Sequence, residues 1–296
     1  MDINSTTLQA LYRAFNAAYQ GAFTGVTPMW PRIATLIPSS ASQEDYAWLG
    51  EIKAMREWLG DRIINSIAQH VYSIKNKSYE LTQGVDRDKI EDDQVGIYTP
   101  LFQLMGDSAA KHPDELIWAL LQLGFATNCY DGQYFFDTDH PVLVNEVSTS
   151  VSNFQDGAGN PWYLLDTSRP IRPLIFQQRK KAKFTAMNQE TDTNVFMRKE
   201  YLYGIDCRDN VGFGFWQMAF GSKDTLDAAN FEAAYDGMMA LKKDNGQPLG
   251  IKANLLVVGA TNASTARKII EAQNINGGDS NTNYKRVDLL ECSWLP

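Results

Sequence analysis

The stretch from Asp93 to Phe125 constrains the fold of this chain more than any other part of it. Apolar residues recur along it at steps of three and four, with one gap at His112 and Pro113. Proline either opens a second helix or kinks a longer one, because its ring removes a backbone donor. The spacing therefore predicts a rod on the order of 40 Å long, at about 1.5 Å per residue. Since one side of the rod is apolar, a sheet or other helices must cover it.

Composition narrows the class of protein. With 35 acidic and 27 basic residues the formal charge is −8, which disfavours a dedicated nucleic-acid binder. Cys129, Cys207 and Cys292 lie far apart without metal or redox spacing, so we expect reduced, buried thiols. The N-terminus lacks a signal-peptide pattern and no apolar run reaches membrane length, so we expect no membrane partner. The expected location is the cytoplasm of the producing cell, or a particle that leaves it.

The N-terminal region predicts a helix followed by an extended arm. Residues 5–23 place Phe15 and Tyr19 on one apolar helical face. This face docks either on its own domain or on a neighbouring subunit, and the pattern leaves both open. Residues 26–42 contain three prolines and predict extended chain. The helical period returns between residues 44 and 68.

From His70 the apolar period changes to two, which predicts a β-hairpin. Its polar tip is Lys75 to Ser78, and the charged run Asp86-Arg87-Asp88-Lys89 follows. A two-stranded ribbon has little core of its own, so we expect this one to lie on another surface.

The second half of the chain predicts long strands and then a small α/β unit. Residues 145–160 are rich in Ser, Asn and Gly and predict a loop. The segments 162–167, 173–186, 194–208 (with Met197) and 212–222 predict antiparallel strands, with a turn at residues 210–212. From residue 226 onward, a helix that begins near Asp227, a buried strand, a second helix and a final strand follow one another. The basic run Arg179-Lys180-Lys181 lies in a predicted strand, where alternate side chains face opposite ways. It is either a solvated strand face or a contact with an acidic neighbour or with packaged nucleic acid.

A few residues suggest chemistry. Asp131, Asp137, Asp139 and His140 are of the types that bind a metal ion, so one alternative is a cytoplasmic metal-dependent hydrolase that uses them. Pro141 follows at once and no second histidine cluster occurs, so a turn capped by aspartates is the commoner explanation. Motifs of serine hydrolases, zinc proteases and phosphate-binding loops are missing.

Several segments resemble one family. They are YAWLG (46–50), MREWLGDR (55–62), IKNKSYE (74–80), IEDD (90–93), GIYTPLFQLMGDSAAKHPDEL (96–116), CYDGQYFFDTDHP (129–141), WYLLDTSRPIRPLIFQQRKKAKF (162–184) and the region 231–258. In collinear order over nearly the whole chain, they are similar to the major head subunit of Mu-like bacteriophages.

The resemblance implies the α+β, HK97-like fold of tailed-phage major capsid proteins. Its parts would be an N-terminal arm (1–43), a peripheral-domain helix (44–65), an extended β-hairpin loop (66–94), a peripheral domain with long strands (95–225) and an axial α/β unit (226–296). The spine helix of the peripheral domain would span 95–124. The strand–helix segment of residues 255–270 follows the long strands, whereas it precedes them in the commoner order of this fold. We therefore expect a permuted connection in which residues 286–296 lie beside residues 162–167; Leu289 and Leu164 in different sheets would refute it.

The resemblance also implies a structural protein and not an enzyme, without cofactor or metal. The subunit would self-assemble through hexamers and pentamers into an icosahedral virion shell, beginning in the host cytoplasm. Double-stranded DNA would contact its inner face non-specifically, and scaffold, portal and decoration proteins would be partners. The expected inter-subunit contacts are Phe15, Tyr19, Lys75, Lys77, Asp86, Arg87, Asp88, Lys89, Arg179, Lys180 and Lys181.

Overall fold

The computed structural model describes residues 4–49, 72–92, 95–144, 147–243, 246–275 and 277–296. The helices are α1 (Ser5–Gly25), α2 (Arg87–Glu91), α3 (Thr99–Leu123), α4 (Thr193–Arg198), α5 (Ala228–Met239) and α6 (Ala260–Ile270), with 3₁₀ turns at Trp30–Arg32, Val95–Tyr98 and Trp216–Met218. The strands are β1 (Ala34–Pro38), β2 (Gln43–Asp45), β3 (Ser73–Lys75), β4 (Lys77–Asp86), β5 (His140–Val144), β6 (Val147–Val151), β7 (Phe154–Gln155), β8 (Trp162–Leu165), β9 (Leu174–Met187), β10 (Glu200–Phe213), β11 (Ala219–Ser222), β12 (Leu255–Val258), β13 (Asn274–Ile275), β14 (Asp279–Ser280) and β15 (Asp288–Glu291).

Helix α3 confirms the predicted rod and joins two hydrophobic cores. It continues through Pro113 as one helix of 25 residues. Phe102 and Met105, in its N-terminal half, belong to one core, whereas Ile117 and Trp118, in its C-terminal half, belong to the other. The single apolar stripe therefore spans both layers of the molecule.

The first core lies between α1, α3 and a four-stranded sheet of order β1-β9-β10-β4. Strands β9 and β10 are antiparallel and 14 residues long each. Phe184 of β9 and Tyr203 of β10 turn toward the helices, where Phe102 meets both rings at 5.8 and 5.3 Å between centroids. Aromatic rings thus fill this layer.

Helix α1 docks on its own subunit. Phe15 and Tyr19 are each about 1% exposed; Phe15 stacks on Phe102 with 4.2 Å between ring centroids. The helices lie so close that a Cβ added at Gly106 would stand 2.2 Å from the carbonyl oxygen of Tyr19. In this conformation Phe15 and Tyr19 are core residues with no surface left for a neighbour. Docking on its own domain is thus the alternative that the structure adopts.

The arm after α1 is fastened to α3 by one buried carboxylate. Asp114 accepts hydrogen bonds from Met29 N at 3.1 Å and from Trp30 N at 2.5 Å. Burial raises the pKa of Asp114, although these donors act in the opposite direction. Beyond this point β1 pairs in parallel with β9 and extends the sheet. The predicted extended arm is therefore an edge strand of its own subunit.

The second core surrounds a five-stranded sheet of order β15-β12-β8-β11-β7. Leu289 and Leu164 share this sheet, but β12 separates them, because Leu256 pairs with both. The two segments therefore share one sheet, as the expected permuted connection requires, although residues 286–296 and residues 162–167 are not neighbouring strands in it. Strands β12 and β15 of residues 226–296 belong to this larger sheet and not to a separate two-stranded sheet, which would leave their edges unpaired.

The predicted hairpin at residues 70–81 is wrong in its pairing. Strand β3 pairs with β2, and β4 pairs with β10 over ten residues. Asn76, expected at the tip, is 5% exposed and accepts a hydrogen bond from Gln177 Nε2 at 2.8 Å. Each strand thus pairs with a strand that is distant in the sequence, instead of with the other strand of the predicted hairpin. Residues 66–71 and 93–94 of the expected loop lie outside the described residues.

Three further local predictions differ from the structure. Residues 44–45 belong to β2, and residues 50–65 of the helix predicted there lie outside the described residues. Residues 193–198 form α4 and not a strand, while residues 210–212 continue β10 instead of turning. Residues 147–151 and 154–155 form β6 and β7 within the predicted loop. No helix of the described ranges combines the length and apolarity needed to cross a bilayer.

Candidate functional site

One end of the four-stranded sheet carries an exposed apolar and charged surface, which we call the tip surface. It consists of Met187, Phe196 and Met197 beside the run Asp86 to Lys89. Phe196 is 81% exposed, Met197 70% and Met187 50%. Exposed large apolar side chains that cluster in this way mark interaction sites more often than single ones do.

Helix α4 presents these side chains because it is fixed across the ends of β9 and β10. Val195 is buried beneath it. Asn194 Nδ2 donates to the carbonyl oxygens of Met187 at 3.0 Å and Glu200 at 2.7 Å. Lys199 then ends the helix in the left-handed region, with φ of 52°. The exposed side chains of Phe196 and Met197 therefore stand on a fixed support.

The charged run from Asp86 to Lys89 lies at the start of α2, beside α4. Asp86 caps α2 by accepting from Asp88 N at 2.8 Å. Arg87 pairs with Glu91 at 2.8 Å, and Asp88 lies 3.6 Å from the ammonium of Lys199. Lys89 is exposed. Surface pairs of this kind contribute little to stability, so these charges stay available for contacts between molecules.

Lys75 and Lys77 lie at the opposite end of β4. Both are exposed and flank the buried Asn76. Since β4 has ten residues, about 30 Å of strand separates them from the tip surface. The charged residues expected in one projecting loop therefore lie at two opposite ends of β4, with Lys75 and Lys77 at one end and Asp86 to Lys89 at the other.

The basic run of β9 does not form a single patch, as the alternation of a strand predicts. Lys180 pairs with Asp206 of β10. Lys181 lines a cavity beside α3 together with Phe23 and Pro113. Arg179 is exposed, and its charge helps to lower the pKa of Glu44, after larger effects from the backbone N–H groups of Ala41 and Ser40 and from Ser39.

The suggested carboxylate–histidine group is divided between a buried pair and a surface turn. His140 is fully buried, with its Nδ1 at 2.7 Å from Asp131 Oδ2 and its Nε2 at 3.2 Å from Asn153 Oδ1. Its ring stacks on Trp216 at 3.9 Å between centroids. Burial opposes ionisation of Asp131, but hydrogen bonds from His140 and Cys129 outweigh it and hold the pKa of Asp131 below its ordinary value. Protein groups thus occupy both nitrogens of His140.

Asp137 and Asp139 lie in the surface turn and are not part of the buried pair. Asp137 accepts from the backbone N–H groups of Tyr134 at 3.1 Å and Thr138 at 2.7 Å, and Asp139 is exposed. The four residues therefore do not converge as a hydrolytic centre would require.

A second cluster joins α3 to β10, and no short sequence motif indicated it. His112 Nε2 lies 3.2 Å from Asp209 Oδ1, and the Sγ of Cys207 lies within 4.8 Å of both atoms. Burial, together with Asp209, raises the pKa of Cys207 to about 12. The spacing Cys207-x-Asp209 on a strand was the available signal, since positions i and i+2 share a face.

The exposure of Phe196 and Met197 on the surface was also not predicted from the sequence. The sequence pattern had placed Met197 in a strand. The one local indication of the helix was Asp192-Thr193, a pair of residue types that cap helix starts.

Comparison with known proteins agrees with this architecture. The sequence model of the family "Mu-like prophage major head subunit gpT" matches residues 8–295. The chain is 39% identical to the major capsid protein of Escherichia phage Mu, over 100% of both chains. It is 38% identical to the Mu-like prophage FluMu major head subunit of Haemophilus influenzae, over 97% of both chains.

Solved structures give the same result. A chain of the bacteriophage JBD30 procapsid superposes with a TM-score of 0.88 at 46% identity, covering 99% of this chain and 100% of that one. A chain of the JBD30 capsid gives 0.79 at 34% identity, with full coverage of both. The α+β fold is thus that of phage capsid proteins. The chain belongs to the Mu-like prophage major head subunit gpT family, and it is a structural major capsid protein, not an enzyme.

Proposed function

We propose that this chain assembles through hexameric and pentameric capsomers into an icosahedral shell around double-stranded DNA. The observation that carries the proposal is the likeness, over 99% of this chain, to a subunit of the JBD30 procapsid. We assign α3 and the four-stranded sheet to a peripheral domain and the five-stranded sheet to an axial domain. A scaffold and a portal protein would act during assembly in the host cytoplasm. Because a JBD30 capsid is decorated with minor capsid protein trimers, a decoration protein is a further proposed partner.

We place one contact between subunits at the tip surface. Its apolar side chains would be buried only upon assembly, which stabilises the shell while a single subunit keeps its fold. The neighbouring charges, Asp86 to Lys89, would set the register of the contact more than its strength. Lys75, Lys77, Arg179, Lys180 and Lys181 remain candidates for a second contact, with a neighbouring subunit or with DNA.

The test of the shell function is the particle size of the purified chain. Sedimentation velocity and electron microscopy should show capsomers or closed shells, with the chain alone or after co-expression with the other head proteins of its phage. Monomers and small oligomers under both conditions would contradict the proposal.

The test of the tip surface is the double substitution Phe196→Ser and Met197→Ser. Because both side chains are exposed, the subunit should keep its circular dichroism spectrum and its unfolding midpoint, yet the yield of closed shells should fall at least tenfold. Met239→Ser is a matched control, since Met239 is 47% exposed at the end of α5 and should assemble normally. A normal shell yield from the double variant would remove the tip from the set of contacts.

A further inference from the structure

His112, Cys207 and Asp209 bring three metal-binding types of side chain together between α3 and β10. We propose that these three side chains bind Zn²⁺, with a water molecule or a small ligand as the fourth donor. Thiolate, imidazole and carboxylate are the three donor types that zinc takes in proteins. This inference does not depend on the capsomer arrangement proposed for the chain.

The distances within the cluster agree with tetrahedral coordination. Two nitrogen or oxygen donors at about 2.0–2.1 Å from zinc are about 3.4 Å apart when they subtend a tetrahedral angle. His112 Nε2 and Asp209 Oδ1 are 3.2 Å apart. A thiolate sulfur at about 2.3 Å from zinc lies about 3.6 Å from each of the other two donors. The Sγ of Cys207 is within 4.8 Å of both atoms, and rotation about χ1 adjusts its position.

The surroundings of the cluster support a positioned set of ligands. Asp209 is 2% exposed, and its backbone is paired with β4 and β9, so its carboxylate stays in place. The ring of Tyr79 meets the His112 ring edge-on at 4.4 Å between centroids, which restricts the orientation of the imidazole. Such neighbours of a ligand affect metal affinity because they fix its geometry.

Charge and access also suit a divalent cation. A Cys207 thiolate and the Asp209 carboxylate carry two negative charges, which balance Zn²⁺ when the thiol proton leaves to water. His112 and Cys207 line two cavities, of about 80 and 370 Å³, that give an ion and its water a way in. Lys181 lines the larger cavity as well, but it is exposed, so water screens its charge.

The bound ion would join α3 to β10 beside Pro113, where the helix lacks one backbone hydrogen bond. Because the ligands come from an element of the first half of the chain and one of the second, the ion would stabilise the folded subunit.

The experiment titrates the purified full-length chain with Co²⁺, a spectroscopic substitute for zinc. A bound cobalt ion should give a thiolate-to-metal charge-transfer band in the near ultraviolet, saturating at one ion per subunit. Cys207→Ser should abolish this band, and His112→Gln should weaken Co²⁺ binding at least tenfold. Zn²⁺ should displace the cobalt and raise the unfolding temperature of the parent chain but of neither variant.

Two control variants, each lacking a cysteine outside the proposed site, show where the cobalt ion binds. Cys292→Ser removes a buried thiol outside the cluster, and Cys129→Ser removes the thiol beside Asp131 and His140; both should keep the band. A parent chain without the band, a band that survives Cys207→Ser, or a band lost only in Cys129→Ser would each overturn the proposal. Circular dichroism of every variant verifies folding. If Cys207→Ser fails to fold, the weaker Co²⁺ binding expected of His112→Gln still tests the site.

Discussion

Leu164 and Leu289 lie two strands apart in one sheet, and both pair with Leu256 of the strand between them. Leu256 and Leu164 are fully buried, whereas Leu289 is half-buried in the edge strand β15. The C-terminal strand therefore completes a sheet whose centre combines strands from residues 162–165 and 255–258. This arrangement predicts unequal roles for three leucines that look alike in sequence.

Leu256→Ala should lower the free energy of unfolding of the unassembled subunit by about 2–5 kcal/mol, because the cavity sits in the centre of the core. Leu289→Ala should lower it by at most about 1.5 kcal/mol, since less apolar surface is lost. Urea titrations followed by circular dichroism compare the two. Equal losses would contradict the placement of β12 inside the sheet and of β15 at its edge.

Gly106→Ala tests the close contact between α1 and α3. The new Cβ would meet the carbonyl oxygen of Tyr19 at 2.2 Å, so the helices must separate, at a cost of about 1–3 kcal/mol. Gly21→Ala is the control in the facing helix, because nothing lies within 4 Å of its Cβ position. It should raise stability by about 0.5–1 kcal/mol through helix propensity alone. Thermal unfolding of both variants measures the difference in sign.

Asp114→Ala tests the fastening of the arm to α3. The N–H groups of Met29 and Trp30 would lose their acceptor, which should cost about 1–3 kcal/mol. Limited proteolysis should also cut residues 26–38 faster, because the arm is released.

Asp107→Ala, in the same helix, is the control for the arm. Asp107 makes an exposed pair with Lys111 at 2.7 Å, so its loss should cost less than about 0.5 kcal/mol. Equal proteolysis of the two variants would show that Asp114 does not hold the arm.

Asp131→Asn tests the buried pair with His140 through its pH dependence. The folded pKa of Asp131 lies below its unfolded value of about 3.9. Its contribution to stability is therefore complete above that value and is lost as the pH falls through the folded pKa. The variant should be about 1–3 kcal/mol less stable at neutral pH, and the difference from the parent chain should shrink below about pH 4.

Denaturant titrations at several pH values measure this difference. Asp139→Asn is the control, because Asp139 is exposed in the same turn, and it should stay within about 0.5 kcal/mol of the parent at neutral pH. A gap between Asp131→Asn and the parent that grows on acidification would contradict the assigned pair.

Periodicity in the sequence by itself determined the elements that carry their own pattern. The step of three and four marked α3 and α1, and the segment that contains β9 was predicted as a strand. Asp227, predicted near the start of α5, is its cap, since its side chain accepts from Asn230 N at 2.8 Å. The resemblance of segments such as 96–116 and 162–184 indicated the family, because the segments occur in collinear order over nearly the whole chain.

Only the tertiary structure decided which elements meet. The pattern of Phe15 and Tyr19 showed that one face of α1 must be covered, yet it was also compatible with a neighbouring subunit. Strand β3 pairs with a strand about 30 residues away, and β4 pairs with one more than 100 residues away, instead of with each other. Helix α3 places His112 beside Cys207 and Asp209 of β10. The reason is that hydrophobic burial is non-directional: a period in the sequence specifies which side chains leave water, whereas the packing of the whole chain selects what covers them.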